Sequence, residues 1–120
     1  MNIENFREYC LSLPKVTEDM PFGEDVLVFR LHKKIFACVN MDQHDMAAMK
    51  CDPEKAIELR ERYPSIEGAF HWNKKFWNQV RFNKEVSDKT IKELVDHAYN
   101  EIWKSLPKKL REDTEKINSD

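Results

Sequence analysis

A chain of 120 residues, 41% of them hydrophobic, is long enough for one domain with its own core and does not need a disulfide or a metal to fold. A formal net charge of −2 argues against a uniformly basic nucleic-acid binder. No apolar run approaches the roughly 20 residues that cross a bilayer, and Met1-Asn2-Ile3-Glu4-Asn5 lacks the basic and apolar regions of a signal peptide, so a cytoplasmic protein with no membrane association is expected.

Ile3, Phe6, Cys10 and Leu13 recur at helical spacing behind Asn2, a residue suited to cap a helix, and Pro14 stops the run. Thr17 to Gly23 is read as an acidic loop, with Gly23 able to take a positive φ. Val26 to Leu31 and Ile35 to Met41 are rich in β-branched and aromatic residues. They flank His32-Lys33-Lys34, a polar connection that fits a hairpin although it has no glycine to fix its turn type. Met46 to Cys51 is read as a third strand, and three consecutive strands most economically form an antiparallel meander.

Asp52-Pro53-Glu54 then combines an N-cap, a proline at the first helical position and an acid in the first turn. Ala56, Ile57 and Leu59 supply the apolar side of this helix, which should end near Tyr63-Pro64. Ser65 to Phe70 fits either a short strand or a loop broken by Gly68, and Trp77 to Phe82 reads as a strand. Ser87-Asp88 caps the last long helix, whose stripe of Ile91, Leu94, Val95, Ala98, Ile102 and Trp103 follows a period of 3.6 residues. Beyond Pro107 lie the basic patch Lys108-Lys109-Leu110-Arg111 and a charged tail, 112–120, expected to fray.

No catalytic site assembles from this pattern. The chain has no nucleophile elbow, zincin helix or paired-cysteine metal knuckle, and two glycines cannot build a phosphate cradle. His97 neighbours Asp96, but adjacent residues on a helix do not face each other, so it is read as a surface or half-buried helical histidine. Asp42, His44 and Asp45 have metal-ligand chemistry, yet polar loop residues of this kind more often bond local backbone. Cys10, Cys38 and Cys51 are an odd, widely spaced set without CxxC, which predicts reduced, buried thiols. No metal, no cofactor and no enzymatic activity are expected.

The placement of charge is more informative than its sum. Val26 to Met41 contains no acid but holds Arg30, Lys33 and Lys34. Gly68 to Lys84 is again free of acids and holds Lys74, Lys75, Arg81 and Lys84, interleaved with His71, Trp72 and Trp77. If the two stretches share a face, it is locally positive, and aromatics beside bases can stack on nucleobases or wedge into a groove. The opposing account makes Trp72, Phe76 and Trp77 core residues and the lysines a solvated rim. Both stay open at the level of sequence.

Pro21-Phe22-Gly23-Glu24-Asp25, Val26-Leu27-Val28-Phe29, Lys34-Ile35-Phe36-Ala37 and Lys50-Cys51-Asp52-Pro53 stand in this order along the chain. They continue in order with Leu59-Arg60-Glu61-Arg62-Tyr63-Pro64, His71-Trp72-Asn73-Lys74-Lys75-Phe76-Trp77-Asn78-Gln79-Val80, Asp96-His97-Ala98-Tyr99 and Leu106-Pro107-Lys108-Lys109. From Leu13 to Arg111 the chain resembles the MmcQ/YjbR family. The resemblance implies a fold like bacterial frataxin (CyaY) and a double-wing DNA-binding role, the latter by analogy of fold. The sequence departs from the family pattern at Gly68-Ala69-Phe70, where Pro-Gly-Tyr is common, and at Trp72, Phe76 and Ala98, where methionine, histidine and serine are common. Positions suited to binding are kept better than positions suited to catalysis.

The expected architecture is α+β: one antiparallel sheet with helices on one face, in the order helix, three or four strands, helix, one or two strands, helix, over residues 1–111. The expected function is weak, sequence-tolerant binding of double-stranded DNA. Lys33, Lys34, Lys74, Lys75 and Arg81 would sit on phosphates, with Trp77 at or beside a groove. The alternatives are a protein-interaction or scaffold module using the same sheet face, and an iron-binding role by analogy with frataxin. The last would want an acidic ridge on the first helix, where Arg7 stands between Glu4 and Glu8.

Overall fold

Asn2 opens the first helix, α1 (Ile3–Ser12), its side chain accepting the Asn5 N–H at 2.8 Å. Leu13 leaves the helix in extended backbone, and the chain enters β1 (Val16–Asp19). The computed structural model describes residues 1–114. From there the order is β2 (Val26–Leu31), β3 (Lys34–Asn40), β4 (Met46–Lys50), α2 (Pro53–Arg62), β5 (Ile66–Gly68), β6 (Trp77–Arg81), α3 (Asp88–Ser105) and α4 (Lys108–Glu112). The six strands form one sheet in the order β1-β2-β3-β4-β6-β5, with every pair antiparallel.

The stretch read as an acidic loop from Thr17 begins with strand β1. Its side chains alternate in their partners, and that alternation is what makes a charged strand viable. Glu18 accepts Arg7 Nε of α1 at 2.7 Å on the helix side, while Asp19 accepts Arg30 Nε of β2 at 2.8 Å on the other. Charge on an edge strand also discourages pairing with other chains. The loop proper runs from Met20 to Asp25, and Gly23 in it takes a φ of +113°.

The hairpin turn is two residues long rather than three. His32 and Lys33 both have positive φ, 46° and 72°, as a primed two-residue turn requires. Neither is glycine, so the turn is held from outside. Arg30 Nη1 donates to the Lys33 carbonyl at 2.7 Å, and His32 Nε2 lies 2.6 Å from Thr114 Oγ1. Lys34 consequently belongs to β3.

A bulge between Phe29 and Arg30 pairs these residues with Ala37 and Ile35, leaving Phe36 as the extra residue. Phe36 and Ala37 therefore both reach the core, although they are consecutive, and Phe36 meets the Tyr99 ring edge-on at 5.8 Å. The core lies between the sheet and the helices. Phe29, Leu31, Ala37, Val39, Met49 and Val80 from the strands pack with Phe6, Ile91, Val95 and Tyr99 from α1 and α3.

Helices α2 and α3 start where the caps lie. Asp52 and Ser87 accept the N–H of Lys55 and Thr90, each at 3.1 Å. The buried face of α3 is broader than its apolar stripe, because His97, Tyr99 and Asn100 are buried too. His97 is thus interior rather than on the surface, and its Nε2 accepts the Asp52 N–H at 3.1 Å. Tyr99 donates its hydroxyl to the Pro14 carbonyl at 2.8 Å. Packing also takes in the start of the expected tail: α4 includes Glu112, and Thr114 is buried with its carbonyl accepting Trp103 Nε1 at 2.8 Å. Residues 115–120 of that tail lie outside the described residues.

Candidate functional site

All the helices pack on one side of the sheet, and the opposite face carries the candidate site. Strand register aligns Val28, Cys38, Ala48 and Gln79 in one row across that face. Lys50 and Trp77 pair at one end of it, Met46 and Arg81 at the other. Val28, Cys38, Met46 and Trp77 are buried without belonging to the helix-side core, so two loops must cover them.

Those loops are Met20 to Asp25, between β1 and β2, and Ala69 to Phe76, between β5 and β6. The Trp72 ring stacks on Trp77 at 4.1 Å and 15°, and Phe22 meets Trp72 edge-on at 6.2 Å. Between the loops and the sheet is a pocket of about 380 Å³, lined by Phe22, Val26, Cys38, Asn40, Gln43, Met46, Ala47, Ala48, His71, Trp72 and Gln79.

The six residues predicted to bind DNA do not form one patch. Trp77 is 6% exposed and covered by Trp72, so it is not the groove-facing aromatic it was expected to be. Lys34 turns toward the helices and donates to the Ser105 carbonyl and hydroxyl at 3.3 and 3.1 Å. Arg81 pairs with Asp45 at 3.2 Å. It sits four residues along β6 from Trp77, about 13 Å away at strand spacing. Lys33 occupies the β2–β3 turn.

Lys74 and Lys75 remain together in the β5–β6 loop, exposed beside Phe70 and His71. The Lys74 stem crosses Gly68, its Cγ 3.1 Å from where a β-carbon would stand, and its ammonium lies 5.7 Å from the Phe70 ring centre. The loop is braced from beneath. Arg60 of α2 donates to the Lys74 carbonyl and, at 2.6 Å, to Asn78 Oδ1, while Phe70 N–H donates to Gln79 Oε1 at 3.2 Å.

Lys50 was missed by reading acid-free stretches. It belongs to this end of the sheet because it pairs with Trp77, and it shares the Phe76 ring with Lys75, at 5.1 and 5.5 Å. Its signal lay in strand alternation, which puts Met46, Ala48 and Lys50 on one face. Phe22 and Gln43 carried no comparable signal, because only the fold brings their loops onto the sheet, and Asn40 at the end of β3 gained its place from them.

The thiols are buried and unpaired. Burial pushes the Cys10 thiol up strongly, Cys38 up to about 11 and Cys51 up to about 12. The thiolate is the reactive form, so none should react with an aromatic disulfide reagent in the native protein near neutral pH. All three should react at once on unfolding, and a thiol titration with and without denaturant checks this. Among the described residues no three His, Cys, Asp or Glu side chains converge as a metal site, and no helix is long and apolar enough to cross a membrane.

The YjbR family model matches residues 11–101. The chain is similar to the uncharacterized protein YbdF of Escherichia coli O157:H7, with 31% identity over 107 residues that cover 88% of each chain. It is similar to a crystal structure of a Deinococcus radiodurans protein with a DUF419 domain (TM-score 0.84, 31% identity, 92% of this chain and 86% of that one). A Pseudomonas syringae protein solved by crystallography matches with a TM-score of 0.69 and 27% identity, over 82% of this chain and 96% of that one.

Proposed function

The chain belongs to the YjbR family, and from that footing we propose that it is a non-catalytic cytoplasmic domain that binds the phosphate backbone of duplex DNA weakly and without sequence preference. The observation that carries this reading is the braced β5–β6 loop. It presents Lys74 and Lys75 side by side with an aromatic, Phe70, that is 74% exposed, within a stretch free of acids from Gly68 to Lys84. Lys50 and the Lys33 turn lie at the same end of the sheet. Phe70 takes the groove-side role first expected of Trp77.

A footprint of this size reaches about three or four phosphates and supports non-specific dissociation constants of roughly 10⁻⁴–10⁻⁶ M. Affinity should fall with salt, because each neutralised phosphate releases counterions, at a slope of about −0.9 per contact. Replacing Lys74 and Lys75 together by alanine should flatten that slope by up to about two units and leave stability unchanged, since neither ammonium is buried. Mobility-shift titrations at two salt concentrations read both effects. No binding at low salt, or binding indifferent to the double variant, moves the function to the alternative. That alternative is a protein-interaction module, favoured by the exposed Met20, Phe22, Met41 and Phe70 in loops between the strands.

A further inference from the structure

The pocket on the open sheet face is not explained by phosphate contacts. At about 380 Å³ it falls within the range of roughly 300–1,000 Å³ typical of small-molecule sites. We propose that it binds a neutral, planar heteroaromatic ring with an amide-type edge, the chemistry of a nucleobase.

Three observations carry this. The first is the shape of the walls. Phe22 and Trp72 stand over an apolar floor that includes Val26, Cys38 and Ala48, and Trp72 is fixed from behind by its stack on Trp77. A preordered aromatic wall favours a flat ring, because little side-chain freedom is lost on binding.

The second is charge. No Lys, Arg, Asp or Glu lines the pocket, so nothing there anchors a phosphate or a carboxylate. The third is the polar rim. Gln79 is committed to Phe70 N–H and to Glu67, and Asn40 Oδ1 to the Asp42 N–H. Asn40 Nδ2, the Gln43 side-chain amide and the His71 ring nitrogens have no hydrogen-bond partner among the described residues. Such a set of donors and acceptors matches the polar edge of a ring that presents both.

The ring can come from a free nucleoside-like metabolite or from an unpaired base of a strand. The proposal does not depend on phosphate binding by Lys74 and Lys75, although His71 and Trp72 of their loop line the pocket, and its test separates the two readings. The full chain is titrated with the four common nucleosides, with their monophosphates and with a short single-stranded oligonucleotide. Tryptophan fluorescence and the side-chain amide NMR signals of Asn40 and Gln43 are followed. Saturable responses are expected at roughly 10⁻³–10⁻⁵ M, with a nucleoside at least as tight as its monophosphate.

Ala48→Leu, which fills the floor, should weaken binding by about tenfold or more. Asn40→Asp keeps the acceptor for Asp42 but loses the donor, and should weaken it by about fivefold to tenfold. Gln43→Ala, in an exposed loop, covers the case in which a sheet variant fails to fold. Lys74 and Lys75 substitutions should leave nucleoside affinity unchanged, so failure here is distinct from failure of DNA binding. Response to the oligonucleotide alone, with the same sensitivity to the three substitutions, supports the site and assigns its ring to a strand. The proposal is overturned by no saturable response to any probe. A response to the monophosphates but not to the nucleosides, or one indifferent to all three substitutions, also overturns it.

Discussion

Trp77→Ala should destabilise the fold by about 3–5 kcal/mol while leaving the lysine-dependent part of DNA binding intact. The indole lies on the open face yet is 6% exposed, because Trp72 covers it at 4.1 Å. Truncation removes a large buried ring and strips Trp72 of the surface it rests on, so the cost is transfer plus cavity plus a loosened loop. Lys50, paired with Trp77 across β4 and β6, and the cation–aromatic contacts at Phe76 should loosen with it. Trp77→Phe should cost less, since an aromatic face remains for Trp72. Urea denaturation followed by far-ultraviolet circular dichroism measures both variants. Unchanged stability with a marked loss of DNA affinity would restore Trp77 to a groove.

Phe6→Ala is the second large effect, also about 3–5 kcal/mol. Phe6 is fully buried, edge-on to Phe29 at 6.0 Å and tilted against Phe82 at 5.7 Å. It and Cys10 are the only buried residues of α1. The other ties of this segment are partly buried packing by Ile3, Tyr9 and Leu11, the Tyr9 hydroxyl donating to Asp96 at 2.7 Å, and the ion pairs of Arg7 with Glu18 and of the Met1 amino group with Asp88. Surface ion pairs contribute about 0–1 kcal/mol each, so the fully buried Phe6 ring outweighs them as the anchor of this helix. Phe6→Leu should recover much of the loss, and Arg7→Ala should cost less than about 1 kcal/mol. Chemical denaturation curves for the three variants test the ranking. Equal effects from Arg7→Ala and Phe6→Ala would contradict it.

Much of the architecture follows from local signals. Asn2, Asp52 and Ser87 mark helix starts because a short side chain accepts an orphan N–H of the first turn, and each does so here, while Pro53 has no N–H to satisfy. The runs at Val26, Ile35 and Trp77 are strands because their branched and aromatic side chains suit a sheet buried on both faces, while the run at Met46 has neither type and is legible only as a short apolar stretch. The acidic β1 was not legible. Its stability comes from Arg7 and Arg30, which are distant in sequence and reach it only after the sheet has formed. The turn at His32 and Lys33 was equally hidden, since its strain is offset by Thr114, 82 residues away from His32.

For the candidate site, composition alone marked Lys74 and Lys75 as a basic pair in an acid-free stretch, a property of the local chain that folding leaves in place. What tertiary structure decided is the fate of the other four. A strand's side chains alternate between faces, and what lies over each face depends on segments far along the chain. That rule sends Lys34 toward Ser105, sets Arg81 beside Asp45 and buries Trp77 beneath Trp72, while Lys33 is spent in a turn. The pocket is the extreme case. Its floor comes from β2, β3, β4 and β6 and its walls mainly from two loops 44 residues apart in the chain, Asp25 to Ala69, so no local pattern could disclose it.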